Sequence, residues 1–311
     1  MTLERWDRME KFKVIPGYDR WVSIEKLTKG WSVDTKYIVK DVEGNKFLLR
    51  ITSSELYEKK AKQFKLLQEI EKLGINASKP ICFGRLNEDE VYTVLTWLEG
   101  EDAETAVAKL SDKDAYLLGI EAGNILKKLH ALPVSLDDVP SWWEKYTTKM
   151  VRKYKAMDDC PVEVPNKELL KKYMNEHMYL VKNRKQTFTH ADYHVGNLIV
   201  CDGKIGVIDF DKNTIADPYD EFKPFVWNVS VNEYFETGLV NGYFDNKVPS
   251  DFFPILALYA VEHLISFIPW ALKFGDEETQ KGYEIHDKIM KWYDNMKLVI
   301  PTWYKGVLHF N

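Results

Sequence analysis

Cysteine is scarce in this 311-residue chain, and the three present, Cys82, Cys160 and Cys201, are far apart, odd in number and without a CxxC pair. That pattern argues against a disulfide framework or a zinc site and for reduced thiols in a cytoplasmic protein. A basic excess is also missing. Against 48 Asp and Glu stand 43 Lys and Arg, a formal charge of −5, so no broad face for nucleic acid or anionic lipid is expected. Long apolar runs are lacking apart from residues 252–272, which carry Glu262 and His263 near their middle and prolines at 254 and 269. This stretch reads as a core helix rather than a membrane span. The amino terminus is charged from its fourth residue and has no apolar run of the kind a signal peptide needs. Repeats and low-complexity tracts are absent, which excludes solenoids and long linkers. The remaining composition, 45% apolar and 29% charged, is that of a globular chain with one large domain or two unequal ones.

Charge is unevenly spread. Residues 1–98 hold 18 basic and 15 acidic side chains, +3, whereas residues 99–311 hold 25 and 33, −8. Chance variation among solvated faces and a functional division both account for this. The secondary-structure signals also change near residues 97–100. Before them, 22–27, 35–39 and 46–51 read as strands separated by turn chemistry at 29–32 and at Glu43-Gly44-Asn45. Ser53 or Ser54 can cap a helix to about Leu73, stopped by Gly74, and 77–83 and 91–97 supply two more strands. Beyond Gly100 the periods are helical, clearest at 114–132 and again at 166–181. Short strands return between 187 and 211, and helices follow from about 218. The expected fold class is α+β, with a small antiparallel β-rich lobe, residues 1–97, and a larger mostly helical lobe, residues 98–311.

The informative stretch is Thr189-His190-Ala191-Asp192-Tyr193-His194-Val195-Gly196-Asn197, followed by Ile205-Gly206-Val207-Ile208-Asp209-Phe210-Asp211. Asp192 and Asn197 stand five apart, the H-x-D-x-x-x-x-N spacing of a kinase catalytic loop, in which the Asp takes or orients the acceptor hydroxyl proton and the Asn binds Mg²⁺. A loop of that length lets a carboxylate face an acceptor while an amide oxygen reaches a metal. Asp209 follows a short apolar run that reads as a buried strand, and a hard carboxylate at a strand end suits Mg²⁺ bridging phosphates. Singly, each aspartate is equally a turn former and His190 a core histidine. A His190/His194/Asp192 metal site has no further His or Cys nearby to complete it.

On these residues the chain resembles the aminoglycoside phosphotransferase superfamily, small-molecule kinases with a protein-kinase-like bilobal fold that transfer the γ-phosphate of ATP or GTP to a hydroxyl. The family motif has glycine where this chain has Ala191, a tolerable change unless the backbone there needs a positive φ. The resemblance implies that Asp192 is the catalytic base, that His190 supports its loop, that Asn197 and Asp209 hold Mg²⁺, and that Asp217 braces the catalytic loop. It makes residues 1–97 the nucleotide-binding lobe. Arg50 stands at the end of the third strand where kinases place a phosphate-binding lysine, and its alternative is a solvated strand-end arginine. Its helix partner is either Gln63 or, in a shifted register, Glu58. Gly30 and Ser32 would form the phosphate-covering turn, and backbone groups of Thr96, Trp97 and Leu98 would read the purine edge.

For the acceptor, the resemblance and the −8 of residues 99–311 point to a small hydroxylated cation of aminoglycoside type, with Asp220, Glu221, Glu233, Glu236 and Glu262 as candidate contacts. Each is equally a surface or capping carboxylate. The aromatics of that region, Trp227 and Trp270 among them, read as core first and as a stacking wall second. Macrolides, amino alcohols, homoserine and sugars stay open as acceptors, and so does a nucleotide-binding pseudokinase. A protein kinase is disfavoured because Asp217-Pro218 follows Asp209 by only eight residues, too few for an activation loop. No nucleic-acid or membrane partner is expected.

Overall fold

Alternating β-branched and aromatic residues build five antiparallel strands in the first third of the chain: β1 (Trp21–Leu27), β2 (Thr35–Asp41), β3 (Lys46–Ser53), β4 (Pro80–Arg85) and β5 (Glu90–Thr96), in the spatial order β1-β2-β3-β5-β4. The structure is a computed structural model and describes residues 10–28 and 34–310, so the expected turn at Gly30 and Ser32 lies outside the described residues. One face of the sheet is packed by Phe12, Ile15, Val39, Leu49, Ile51 and Val94. Because side chains alternate along a strand, Arg50, between Leu49 and Ile51, is directed to the other face. Helix α1 (Tyr57–Lys72) follows a single 3₁₀ turn whose start Ser53 caps by accepting the Glu55 N–H, and it ends at Gly74, where φ is +64°. Residues Met1–Gly100 and Gly206–Asp211 make one compact unit, to which Val207 is tied by its N–H donating to the Asn76 carbonyl at 2.8 Å.

The second unit comprises Glu101–Ile205 and Lys212–Asn311. It contains the short β6 (Glu101–Asp102) and α2 (Ala103–Val107), then α3 (Asp112–His130), capped by Ser111, and α4 (Trp142–Asp158), closed by a capping box between Ser141 and Glu144. The spacing did not anticipate α4. Next come α5 (Lys167–His177), β7 (Thr187–Thr189), β8 (Leu198–Cys201) and β9 (Lys204–Val207), which leads into the segment counted with the first unit. The chain returns as β10 (Thr214–Ala216), antiparallel to β7, and finishes in α6 (Phe225–Val231), α7 (Glu233–Tyr243), α8 (Phe252–Ala271) and α9 (Asp276–Trp292).

The tightest helix contact is between α3 and α7. A Cβ added at Gly119, Gly123, Gly238 or Gly242 would come within 2.1–2.2 Å of a backbone oxygen of the facing helix, so only glycine permits this approach. Helix α8 is long and apolar enough to cross a membrane by composition, yet most of it is buried in the second unit, including Glu262. It is a core helix.

Candidate active site

In the second unit, β7 and β10 pair Thr189 with Thr214, and the Thr189 hydroxyl donates to the Thr214 carbonyl at 3.1 Å. The chain leaves β7 at His190, which is fully buried and packs edge-on to Tyr193 with ring centroids 5.8 Å apart. Its ring is therefore part of the loop's packing. Ala191 has φ of +65°, so this position does require the left-handed conformation, and alanine adopts it at a cost of about 1–2 kcal/mol.

Two braces hold the loop. Glu221 is buried and accepts the N–H groups of Ala191 at 3.1 Å and Tyr193 at 3.4 Å, with His130 Nε2 3.5 Å away. Burial pushes its carboxyl up, but the His130 contact and the backbone donor more than offset this and leave it below the ordinary value. On the other side the Asn228 side-chain oxygen accepts the Val195 N–H at 2.8 Å, while its amide donates to Glu236 at 2.7 Å. The Tyr193 hydroxyl donates to the Ala122 carbonyl of α3 at 2.8 Å.

So braced, the loop presents Asp192, whose side chain is 27% exposed. Asn197 Nδ2 donates to its Oδ2 at 2.8 Å and to its backbone oxygen at 2.9 Å, Lys212 donates to it at 2.9 Å, and His194 Nε2 lies 3.5 Å away. Burial pushes the Asp192 carboxyl up, but the hydrogen bonds and charges of His194 and Lys212 outweigh it and hold the group well below the usual carboxylate range. The Asn197 nitrogen is committed to Asp192, which leaves the amide oxygen for another partner.

The first unit holds a second polar constellation. Arg50 is 8% exposed on β3; its Nε donates to Asp34 at 2.8 Å, its Nη2 to Asp211, and its Nη1 lies 4.0 Å from Asp209. Lys60 of α1 donates to Asp34 at 2.7 Å, and Gln63, one turn on, donates its amide to Asp211. The arginine is thus a buried network member and not a solvated strand-end residue. Gln63 joins it through Asp211, while Glu58 is exposed on α1, which corrects the choice between the two as direct partners. Asp209 sits at φ +61° with a buried Oδ1 that has no hydrogen-bond partner among the described residues. An orphaned carboxylate oxygen is what a cation would satisfy, and Asp209, like the Asn197 amide oxygen of the second unit, is by itself a hard oxygen donor of the kind Mg²⁺ takes. The described residues hold no cluster of three or more His, Cys, Asp or Glu of the kind a soft metal would take.

Other expected positions are redistributed. The Thr96 and Trp97 N–H groups already donate to the carbonyls of Lys79 and Lys46, at 2.9 and 3.1 Å. Those two donors are therefore already taken within the chain. Among the carboxylates assigned to an acceptor, Glu221, Glu236 and Glu262 are sealed in the interior, so they are corrected to structural groups. Asp220 pairs with Lys223 at 2.8 Å and Glu233 with Lys305 at 3.0 Å. Asp217 is held by Arg184 at 2.8 Å and by the Tyr259 hydroxyl at 2.6 Å; Glu221 supplies the bonds to the catalytic loop that were expected of it. The residues missed were Asp34, Lys60, Asp211 and Lys212. Only Asp211 had a signal, its place two residues beyond Asp209.

Several solved structures share this architecture. The complex of gentamicin with APH(2")-IIa is 15% identical, covering 93% of this chain and 96% of that one, with a TM-score of 0.65. The GDP complex of aminoglycoside 2'-phosphotransferase-IIIa is 16% identical over 93% and 98%, with a TM-score of 0.71. Amicoumacin kinase bound to AMP-PNP, Ca²⁺ and its ligand is 15% identical over 97% and 98%, at 0.63. These likenesses establish a protein-kinase-like α+β fold. No curated protein matches the sequence. A family model described as the phosphotransferase enzyme family matches residues 23–244. With the His-x-Asp loop and the Asp209 segment both inside that match, the chain belongs to the phosphotransferase enzyme family and is an enzyme.

Proposed function

We propose that this enzyme moves the γ-phosphate of ATP or GTP to a hydroxyl of a small molecule, in a Mg²⁺-dependent reaction, with Asp192 aligning the acceptor. The observation that carries the reading is the Asp192 carboxylate itself, held by Asn197, Lys212 and His194 on a loop braced by Glu221 and Asn228. A carboxylate so far below its usual range is a weak base, so its contribution is to orient the hydroxyl and take its proton late, as suits a loose phosphoryl-transfer transition state. Arg50 stays charged: burial pulls its guanidinium down, but Asp211, Asp34 and Asp209 more than restore it. It would face the triphosphate. Asp209 and the Asn197 amide oxygen would hold Mg²⁺, which supplies charge neutralisation at the phosphate oxygens when bound. Relatives of similar fold crystallised with GDP, or with AMP-PNP and Ca²⁺, support a nucleotide and a divalent ion here without choosing between ATP and GTP.

The test is nucleoside-diphosphate release with ATP and with GTP over aminoglycosides, macrolides, amino alcohols, sugars and hydroxy acids. Asp192→Asn should lower the stimulated rate by roughly 10²–10⁴-fold while the melting-temperature rise caused by Mg²⁺ and nucleotide persists. Full turnover in that variant overturns the assignment. A nucleotide-induced rise with no acceptor-stimulated release would move the protein to the pseudokinase class.

A further inference from the structure

Helix α8 is buried along most of its length, but His263, Ser266, Phe267 and Trp270, spaced three and four apart, form one strip that reaches solvent. Rings run along it. His263 stacks on Phe267 at 4.9 Å, Phe267 meets Trp270 at 5.3 Å, and Trp270 meets Phe274 at 4.6 Å. Trp270 and Phe274 are 44% and 45% exposed. Toward the catalytic loop, Phe267 meets Trp227 at 6.1 Å and Trp227 faces His194 at 6.2 Å, the same His194 that lies 3.5 Å from Asp192. A continuous aromatic surface therefore begins beside the Asp192 carboxylate.

Ammonium groups flank it. The Nζ atoms of Lys149, Lys153 and Lys223 lie 2.9, 2.6 and 3.4 Å from Glu262 Oε1, Lys153 also donates to Ser266 at 2.9 Å, and Lys223 pairs with Asp220 at 2.8 Å. Three cations meet two carboxylates. Burial brings the Lys153 ammonium down to about 8 against the pull of Glu262, with Lys223 and Lys149 adding to the effect; burial pulls Lys223 down too, but Asp220 and Glu262 hold it above its ordinary value; and burial with Lys153 and Lys223 brings His263 down to about 3. The His263 ring is thus neutral, and its buried Nε2 has no hydrogen-bond partner among the described residues.

We propose that this strip is the acceptor surface of the phosphotransferase, a reading that rests on the function proposed above, and that its acceptor is a planar hydroxylated molecule bearing an anionic group. The ring would stack on Phe267 and its aromatic neighbours with its hydroxyl toward Asp192, and the anionic group would take up the unbalanced charge of the lysines. A polycation meets the opposite situation. Glu221, Glu236 and Glu262 are sealed, Asp220 and Glu233 already hold lysines, and the approaching ammonium groups would be repelled by Lys149, Lys153 and Lys223. The aminoglycoside-type acceptor expected from regional net charge is therefore not the one this surface selects.

The experiment titrates the full chain with 1-anilinonaphthalene-8-sulfonate, an aromatic anion with a flat naphthalene ring, read by energy transfer from tryptophan, with 9-aminoacridine and kanamycin as cationic competitors. One probe should bind per chain, and Phe267→Ala and Lys149→Gln should each weaken it by about 10-fold or more, with neither cation displacing it. Lys149 is partly exposed, so its variant keeps the test open should Phe267→Ala fail to fold. Absence of a saturable site, an unchanged dissociation constant in Lys149→Gln, or displacement by kanamycin overturns the proposal. Parallel melts with Mg²⁺ and ATP separate the two readings. A nucleotide-induced rise without the probe site sinks the acceptor proposal alone; a probe site without any nucleotide-induced rise sinks the phosphotransferase reading on which it stands.

Discussion

The Asp192 loop of the second unit and the Arg50 network of the first place carboxylates by different means. Around Asp192 the braces are backbone N–H groups received by Glu221 and Asn228, and the Asp192 carboxylate stays partly open. Around Arg50 the groups restrain one another by charge: Arg50 and Lys60 share Asp34, whose side chain is 1% exposed, and Arg50 shares Asp211 with Gln63. Hydrogen bonds from a scaffold can orient a group without using it up, whereas a buried ion network is itself part of the scaffold. Substitutions should therefore cost mainly activity at Asp192 and mainly stability at Asp34, the network carboxylate that has no proposed ligand contact.

The sharpest way to break this comparison is Asp34→Asn. It leaves two buried cations short of their common carboxylate, a loss at the upper end of about 3–5 kcal/mol, seen as a lower urea midpoint with unchanged slope. Asp192→Asn should lose less, because Lys212, one of its partners, is 67% exposed and screened by solvent. Equal losses in the two variants would show that the loop is as much a stability element as the network.

The same contrast explains what could be read from the sequence. His190, Asp192, Asn197 and Asp209 lie within one short stretch and follow a spacing set by loop geometry, so the sequence could propose them as a group. The strands and the long α3 were legible too, since their periodicity is local. Asp34, Lys60 and Asp211 come from a strand start, a helix and a later segment that only the tertiary fold brings together. Glu221 was mistaken for an acceptor contact because sequence carries no measure of burial: a carboxylate receiving two backbone N–H groups and one facing solvent look alike in a list of residues. Regional charge has the same blind spot, since it counts Glu262 as available when three lysines enclose it.

Glu236 tests whether the loop's second brace is sensitive to pH. Burial pushes its carboxyl up to about 8, against only partial relief from the Asn228 amide. An acid whose folded value is raised contributes stability below its unfolded value, near 4.5, and loses that contribution as pH rises through 8. Glu236→Gln keeps an acceptor for Asn228 without the titration. Melting temperatures measured from pH 5 to 9 should fall for the wild type and stay flatter for the variant, with a gap at pH 8 on the order of 4 kcal/mol. Parallel profiles would mean that the carboxyl is already ionised in the folded chain.

The smallest effect concerns strain, which both regions carry at a non-glycine residue: Ala191 at φ +65° and Asp209 at +61°. Aspartate tolerates the left-handed region through its short polar side chain, and alanine has no such compensation. The Ala191 side chain is exposed, and the N–H that Glu221 accepts at 3.1 Å is a backbone group, so Ala191→Gly removes a clash without removing a contact. Relief of about 1–2 kcal/mol, less the extra freedom glycine gives the unfolded chain, about 0.4–1 kcal/mol, leaves a net gain of roughly 0.5–1 kcal/mol in urea unfolding, with turnover unchanged. A gain together with slower turnover would tie the strained backbone to the placement of Asp192. The loop would then store strain for its chemistry, as the Arg50 network stores charge.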